Sequence, residues 1–165
     1  MGAAQEITHP FLDKDFVNAF ISAVVKTHKV TANTDIVPGK ASLLPSYENH
    51  GEIVGFLAIF TSGTKCTLSI AYTKESAIQL YDNLFSEKKT EIDQDISDFV
   101  GEMTNQVYGA AKTVLHEKGY KFDMALPTVI HGNFKTKMHK AGKTLSIPFS
   151  LPDRSPVWID LTLEK

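Results

Sequence analysis

A chain of 165 residues, 42% of them apolar and 22% charged, can bury one substantial core but leaves little room for two. Its formal net charge of -2 and its single arginine, Arg154, supply no basic stripe for a phosphate backbone, which argues against nucleic acid as a partner. The one cysteine, Cys66, rules out a disulfide within the chain, no secretory signal opens it, and the longest apolar run, Ile53 to Phe60, is too short to cross a bilayer, so a cytoplasmic protein without membrane insertion is expected.

The first periodic segment, "PFLDKDFVNAFISAVVKTHK", sets Phe16, Phe20 and Val24 beside Val17, Ile21 and Val25 and predicts a helix after Pro10. "VTANTDIVPGKASLLPSYENHGE" is broken by Pro38, Gly39, Pro45 and Gly51 and suits a short strand and a loop. "EIVGFLAIF" is apolar nearly throughout, "KCTLSIAY" alternates at Cys66, Leu68, Ile70 and Tyr72, and the glycine-bearing "TSGTK" between them predicts a hairpin. A second helix follows over residues 73–86, with Ile78, Tyr81 and Phe85 at helical spacing. The charged "EKKTEIDQ" interrupts it, and a longer helix runs from about Ile92 to Lys118, ended by Gly119. "YKFDMAL" and "PTVIHG" come next. "KTLSIPFSL" and "PVWIDLTLEK" then alternate strictly and pair across "PDRS", with Leu145, Ile147, Phe149 and Leu151 matching Val157, Ile159, Leu161 and Leu163. The pattern predicts a single α+β domain over 1–165, a largely antiparallel sheet packed against helices.

The long helix carries Gly101, Thr104, Asn105 and Gly109, which cost roughly 0.5 to 1 kcal/mol each relative to alanine in a helix interior. At about 100° per residue, Ile96, Phe99, Val100, Met103, Val107, Ala110, Ala111 and Val114 share an arc roughly 120° wide, the expected core face. Asp98, Glu102, Asn105 and Gly109 fall together on the opposite side, within roughly 60°. A solvated face explains two acids; it explains an asparagine and a glycine poorly, because stability alone favours Ala, Lys, Glu or Gln there. A small residue lets another backbone approach, so the stripe reads as a contact surface.

The pattern Asp98-x3-Glu102-x2-Asn105, followed by Gly109 and by Pro127 in "LPTVIHG" 22 positions after the asparagine, resembles the signature of the CheC/CheX/FliY phosphatases of bacterial chemotaxis, and the length and single motif copy look most like CheX. The resemblance implies a CheC-like fold and hydrolysis of the aspartyl phosphate of a response-regulator receiver such as CheY. Glu102 and Asn105 would be the catalytic pair, Asn105 holding the attacking water and Glu102 gripping a lysine of the receiver, with Asp98 and Gly109 at the partner contact. No cofactor of the chain's own is implied, Mg2+ being expected on the receiver, and a homodimer through a shared sheet is implied as well. The chemistry suits these residue types. Acyl-phosphate hydrolysis needs an in-line water and charge compensation more than covalent work, and a neutral amide can both accept from and donate to water. Relatives often carry a Leu-Gly pair where this chain has Met103 and Thr104, so a bulkier contact surface and altered partner choice are expected. On the first helix Asp15-x2-Asn18 offers only a shortened second copy and reads as a surface acid and amide.

Cys66 falls at an apolar-phase position and reads as an inert core thiol. His9, His28, His50, His116, His131 and His139 lack ligand spacing, which argues against a protein-held metal, and no phosphate-binding glycine motif is present. Trp158 is out of phase with Val157 and Ile159 and is expected on the other face of its strand. A second reading keeps the fold and the stripe but makes the chain a non-catalytic module that docks on a receiver; the lifetime of a phosphorylated receiver separates the two.

Overall fold

The computed structural model describes residues 13–61, 63–123, 125–136 and 141–164; Pro10, His9 and His139 lie outside them. Helix α1, Lys14–Ala32, starts where the Asp13 carboxylate accepts from the amides of Asp15 and Phe16, and stops at Asn33, which adopts the left-handed conformation with φ 46°. Strands β1, Val37–Pro38, and β2, Ser42–Leu44, are short and follow it. The predicted hairpin forms from β3, Ile53–Thr61, and β4, Thr64–Tyr72, in an unbroken register from Ile53 opposite Tyr72 to Thr61 opposite Thr64. Helix α2, Lys74–Phe85, is capped by the Thr73 hydroxyl, which accepts from the Ser76 amide.

Helix α3, Gln94–Glu117, opens on Asp93, whose carboxylate accepts from the Ile96 amide, so the helix starts two residues after the expected Ile92. Its end is a paired-hydrogen-bond cap around Gly119 at φ +92°: the Tyr120 amide donates to the Leu115 carbonyl at 3.0 Å and the Gly119 amide to that of His116 at 3.1 Å. Strands β5, Thr128–His131, β6, Ala141–Ser150, and β7, Pro156–Glu164, complete the order. The described residues of the "YKFDMAL" stretch form no strand.

These elements make one antiparallel seven-stranded sheet in the order β1-β6-β7-β4-β3-β5, with β2 also pairing β6. The α+β class and the antiparallel sheet are as expected. The period of two sends Ile53, Leu57 and Ile59 of β3, Leu68, Ile70 and Tyr72 of β4, and Val157, Ile159 and Leu161 of β7 to one face, where all are at most 1% exposed and join Phe16, Phe20, Ile96, Met103 and Val107 of the helices in one core cluster. Each such side chain contributes roughly 1.5 to 3 kcal/mol through burial, which makes the helix-covered face the main source of stability. No helix among the described residues is long and apolar enough to cross a membrane.

Two buried polar features mark this architecture. His28 on α1 is fully buried with its Nδ1 2.7 Å from the Val24 carbonyl and its Nε2 3.1 Å from the Tyr72 hydroxyl. Nδ1 therefore donates and Nε2 accepts, and burial pulls the imidazole pKa down to about 4, keeping it neutral. On the opposite sheet face Ser69, Asp160 and Ser146 stand in a row across β4, β7 and β6. Trp158 shares that face as expected, stacked on His50 at 5.2 Å, while Tyr47 packs edge-on to Phe56 at 5.8 Å. Burial also pushes the Cys66 thiol up to about 12, which leaves it unreactive.

The closest helix-to-sheet approach is at Gly55 of β3. A Cβ there would overlap the Thr104 hydroxyl, which is fully buried and donates to the Val100 carbonyl at 2.8 Å. Gly55→Ala is therefore expected to lower stability by about 1–3 kcal/mol in urea denaturation, and adding Thr104→Ala is expected to recover part of the loss. Equal loss in the single and double variants would place the strain elsewhere.

Candidate functional site

The core face of α3 buries Ile96, Phe99, Val100, Met103, Val107 and Ala111 as projected, and adds Thr104, Tyr108 and Leu115. Val114, expected inside, is 41% exposed, because the buried face turns toward Thr104, Tyr108 and Leu115 along the helix and Leu115 takes the inward position in that turn. On the other side Asp98, Glu102, Asn105 and Gly109 are all exposed, on one strip of a 24-residue helix.

The out-of-place residues of α3 separate into two groups. Gly101 is half-buried, and a Cβ on it would come within 3.3 Å of Val129 Cγ2 on β5. Thr104 is the packing partner of Gly55. These two are structural. Around Gly109, by contrast, a Cβ would meet nothing within 4 Å, so no contact among the described residues requires glycine there. Asn105 likewise makes no side-chain hydrogen bond among the described residues. Met103 and Thr104 are both 0% exposed, so the expectation of a bulkier contact surface is wrong: their side chains point into the core and the contact strip gains nothing from them.

The strip lies between two walls. After α3 the chain returns alongside it, tied by the Tyr108 hydroxyl, which donates to the Asp123 carbonyl at 2.8 Å, and by Val129 against Gly101. Between those anchors in the sequence lies Leu126, 83% exposed. The opposite wall is α1, whose Thr31 hydroxyl donates to Oε1 of Gln106. The acids on the strip are each steadied by an amide one turn away: Gln106 Nε2 donates to Glu102 Oε1 at 2.8 Å, and Gln94 Nε2 to Asp98 Oδ1 at 2.8 Å. Neither acid forms an ion pair among the described residues. Gln94, Gln106 and Leu126 were not singled out by sequence; the i,i+4 amide-acid spacing was a usable signal for the glutamines, and Leu126 had none.

The strip is an exposed helix face flanked by α1 and the segment after α3. A cleft of about 530 Å³ lies elsewhere, lined by residues including Glu52, Lys74, Glu91 and His131, and holds none of the four strip residues. Such a face cannot enclose a small substrate, but it can enter the cleft of another protein. Among the described residues no group of three or more His, Cys, Asp or Glu could hold a metal ion. Asp15 of the shortened motif on α1 is paired with Lys118 at 3.2 Å, consistent with a surface acid in a structural contact.

The family model of the chemotaxis phosphatase CheX matches residues 53–150, which span the β3–β4 hairpin, α2, α3, β5 and β6. Among solved structures, a CheC-like superfamily protein from Shewanella sp. PV-4 is 34% identical with a TM-score of 0.84, over 93% of this chain and 99% of that one. The chemotaxis protein CheX from Vibrio vulnificus is 30% identical with a TM-score of 0.81, over 91% and 99%. CheX from Borrelia burgdorferi, solved as a complex with CheY, BeF3 and Mg2+, shares the fold at 22% identity and a TM-score of 0.75, over 93% and 100%. No curated protein matches the sequence. With its model match over more than half the chain and identities of 34% and 30% to these relatives over more than nine-tenths of its length, the protein belongs to the CheX family of chemotaxis phosphatases.

Proposed function

We propose that this protein accelerates hydrolysis of the aspartyl phosphate of a CheY-type receiver, with Asn105 positioning the attacking water and Glu102 gripping a receiver lysine. The observation that carries this reading is the pair itself. Glu102 and Asn105 project to solvent from adjacent turns of one rigid helix, the asparagine amide unengaged and the glutamate charge unpaired. The Borrelia relative's assembly with CheY, BeF3 and Mg2+ supports the same class of partner.

The division of labour follows from the chemistry. A receiver that binds Mg2+ brings its own charge compensation, so what it lacks is a fixed water in line with the scissile P–O bond. An asparagine carbonyl accepts from that water while its NH2 donates toward a phosphoryl oxygen, and neither step needs a shifted pKa. A carboxylate one turn away gives a charge-assisted bond to an ammonium and sets the docking register. Asp98 extends the acidic strip, Gly109 admits the receiver backbone, and the exposed Leu126, in the segment that follows α3, offers an apolar contact. We place the protein in the cytoplasm as one domain over its 165 residues, and as a homodimer paired through a sheet edge.

Gly109 separates stability from function. Gly109→Ala is expected to raise stability by up to about 1 kcal/mol. Gly109→Gln is expected to stay folded but to weaken receiver binding severalfold, since the long side chain occupies the approach path. Thermal denaturation and receiver titration check both; full activity in Gly109→Gln would remove this residue from the contact. The direct test of the proposal is release of phosphate from a phosphorylated receiver, where Glu102→Ala is expected to weaken both binding and rate. A tight complex with an unchanged phosphate half-life would instead favour the docking module.

A further inference from the structure

Gln106 occupies a position with no assigned role, one turn beyond Glu102 and flanking the exposed strip. Its amide links two groups. Nε2 donates to Glu102 Oε1 at 2.8 Å, and Oε1 accepts from the Thr31 hydroxyl on α1. The polarity of this chain is forced. A carboxylate can only accept, so it must face the NH2; the carbonyl left over needs a donor, and Thr31 supplies a hydroxyl. Thr31 and Gln106 are both half-buried, whereas Glu102 is exposed, so the line runs from the α1–α3 seam outward to the strip.

We propose that Gln106 is a positioning residue for the receiver-gripping carboxylate, anchored by Thr31. A free glutamate samples many rotamers, and ordering it when the receiver docks carries an entropic cost. Gln106 takes one carboxylate oxygen and holds the side chain in place, leaving Oε2 without a hydrogen bond among the described residues and directed to a partner. The α1 anchor matters because Gln106 is itself a long side chain that would otherwise move with Glu102. Neither residue touches the phosphoryl group, so the effect belongs to docking and not to the water step. This inference rests on the function proposed above.

The test is a double-mutant cycle read in two ways: KM and kcat for phosphate release from a phosphorylated CheY receiver, and Kd for the same receiver loaded with BeF3 and Mg2+. Gln106→Ala is expected to raise KM and Kd by about three- to tenfold with kcat changed less than about twofold, a loss of the size of one ordinary hydrogen bond at a partly solvated site. Thr31→Val is expected to give a smaller rise in the same direction. In a Glu102→Ala background, Gln106→Ala is expected to have no further effect, because there is no carboxylate left to hold. Gln106→Glu, which keeps the length but sets two like charges one turn apart, is expected to be worse than alanine. Equal losses from Gln106→Ala in both backgrounds, or a change confined to kcat, would overturn the proposal while leaving the phosphatase reading intact. A wild-type protein that binds without catalysis overturns that reading instead, and the Kd cycle still decides the role of Gln106. A wild-type protein that does neither overturns both.

Discussion

Asn105→Ala is expected to slow receiver dephosphorylation by at least about 100-fold while leaving affinity for a BeF3-loaded receiver within about threefold. The size follows from what the residue does in this account. Without the amide the water is no longer held in line, and nothing else on the strip is a neutral group able to accept and donate at once. Affinity is spared because docking rests on Glu102 and the small-residue approach at Gly109. Loss of fold cannot mimic the result: Asn105 is exposed, its amide bonds nothing among the described residues, and alanine improves helix propensity at that position by about half a kcal/mol. Full activity in Asn105→Ala would refute the water-positioning role, whatever the binding data.

Asp160→Asn is expected to stabilise the protein at pH 8 relative to pH 4.5 by between about 1 and 4 kcal/mol more than the wild type. Asp160 is 0% exposed, and neither carboxylate oxygen has a hydrogen-bond partner among the described residues. Burial raises its pKa from 3.8 to about 7, while Ser146, its neighbour across the strands, pulls slightly the other way without reaching hydrogen-bond geometry. The unfolded chain loses this proton near the ordinary value, whereas the folded chain keeps it until about 7. Between those limits the folded state binds more protons, so stability falls as pH rises from about 4 to 7 and levels above that. The amide has no such slope, and the gap between variant and wild type must open over that window. Nearby Tyr47, whose hydroxyl is also unpartnered and whose pKa is pushed up first by burial and then by the Asp160 charge, does not ionise in this range. His28, whose pKa falls from 6.5 to about 4 on burial, adds the opposite slope over about pH 4 to 6.5 in both proteins and cancels in the comparison. Urea titrations at the two pH values check the result; a pH-independent difference would contradict it.

What could be read in the sequence and what could not divide along a physical line. Local patterns were legible because their causes are local. The alternation of Leu145, Ile147 and Phe149 and of Val157, Ile159 and Leu161 gave the β6–β7 hairpin and its inward face, and Gly119 gave the end of α3. The angular separation of Glu102 and Asn105 from Val100 and Met103 needed only the helix period. The placement of Thr104 was different: it is polar, lies at the edge of the apolar arc, and is buried only because Gly55, far away in sequence, leaves space above β3. The same holds for Gly101, whose reason is Val129 on a strand that follows the helix. Neither the packing of β1 and β2 onto β6 nor the Thr31–Gln106 contact has a local signature, since each joins segments whose proximity is set by the whole sheet.

The central claim is that an outward-facing asparagine on α3 shortens the life of a partner's acyl phosphate. The measurement that tests it most directly is the decay of a phosphorylated CheY-type receiver, in Mg2+, with and without catalytic amounts of this protein. Decay is expected to accelerate in proportion to added protein, with more than one receiver turned over per protomer. A receiver whose phosphate half-life is the same in its presence, even at concentrations that bind it fully, would contradict the claim.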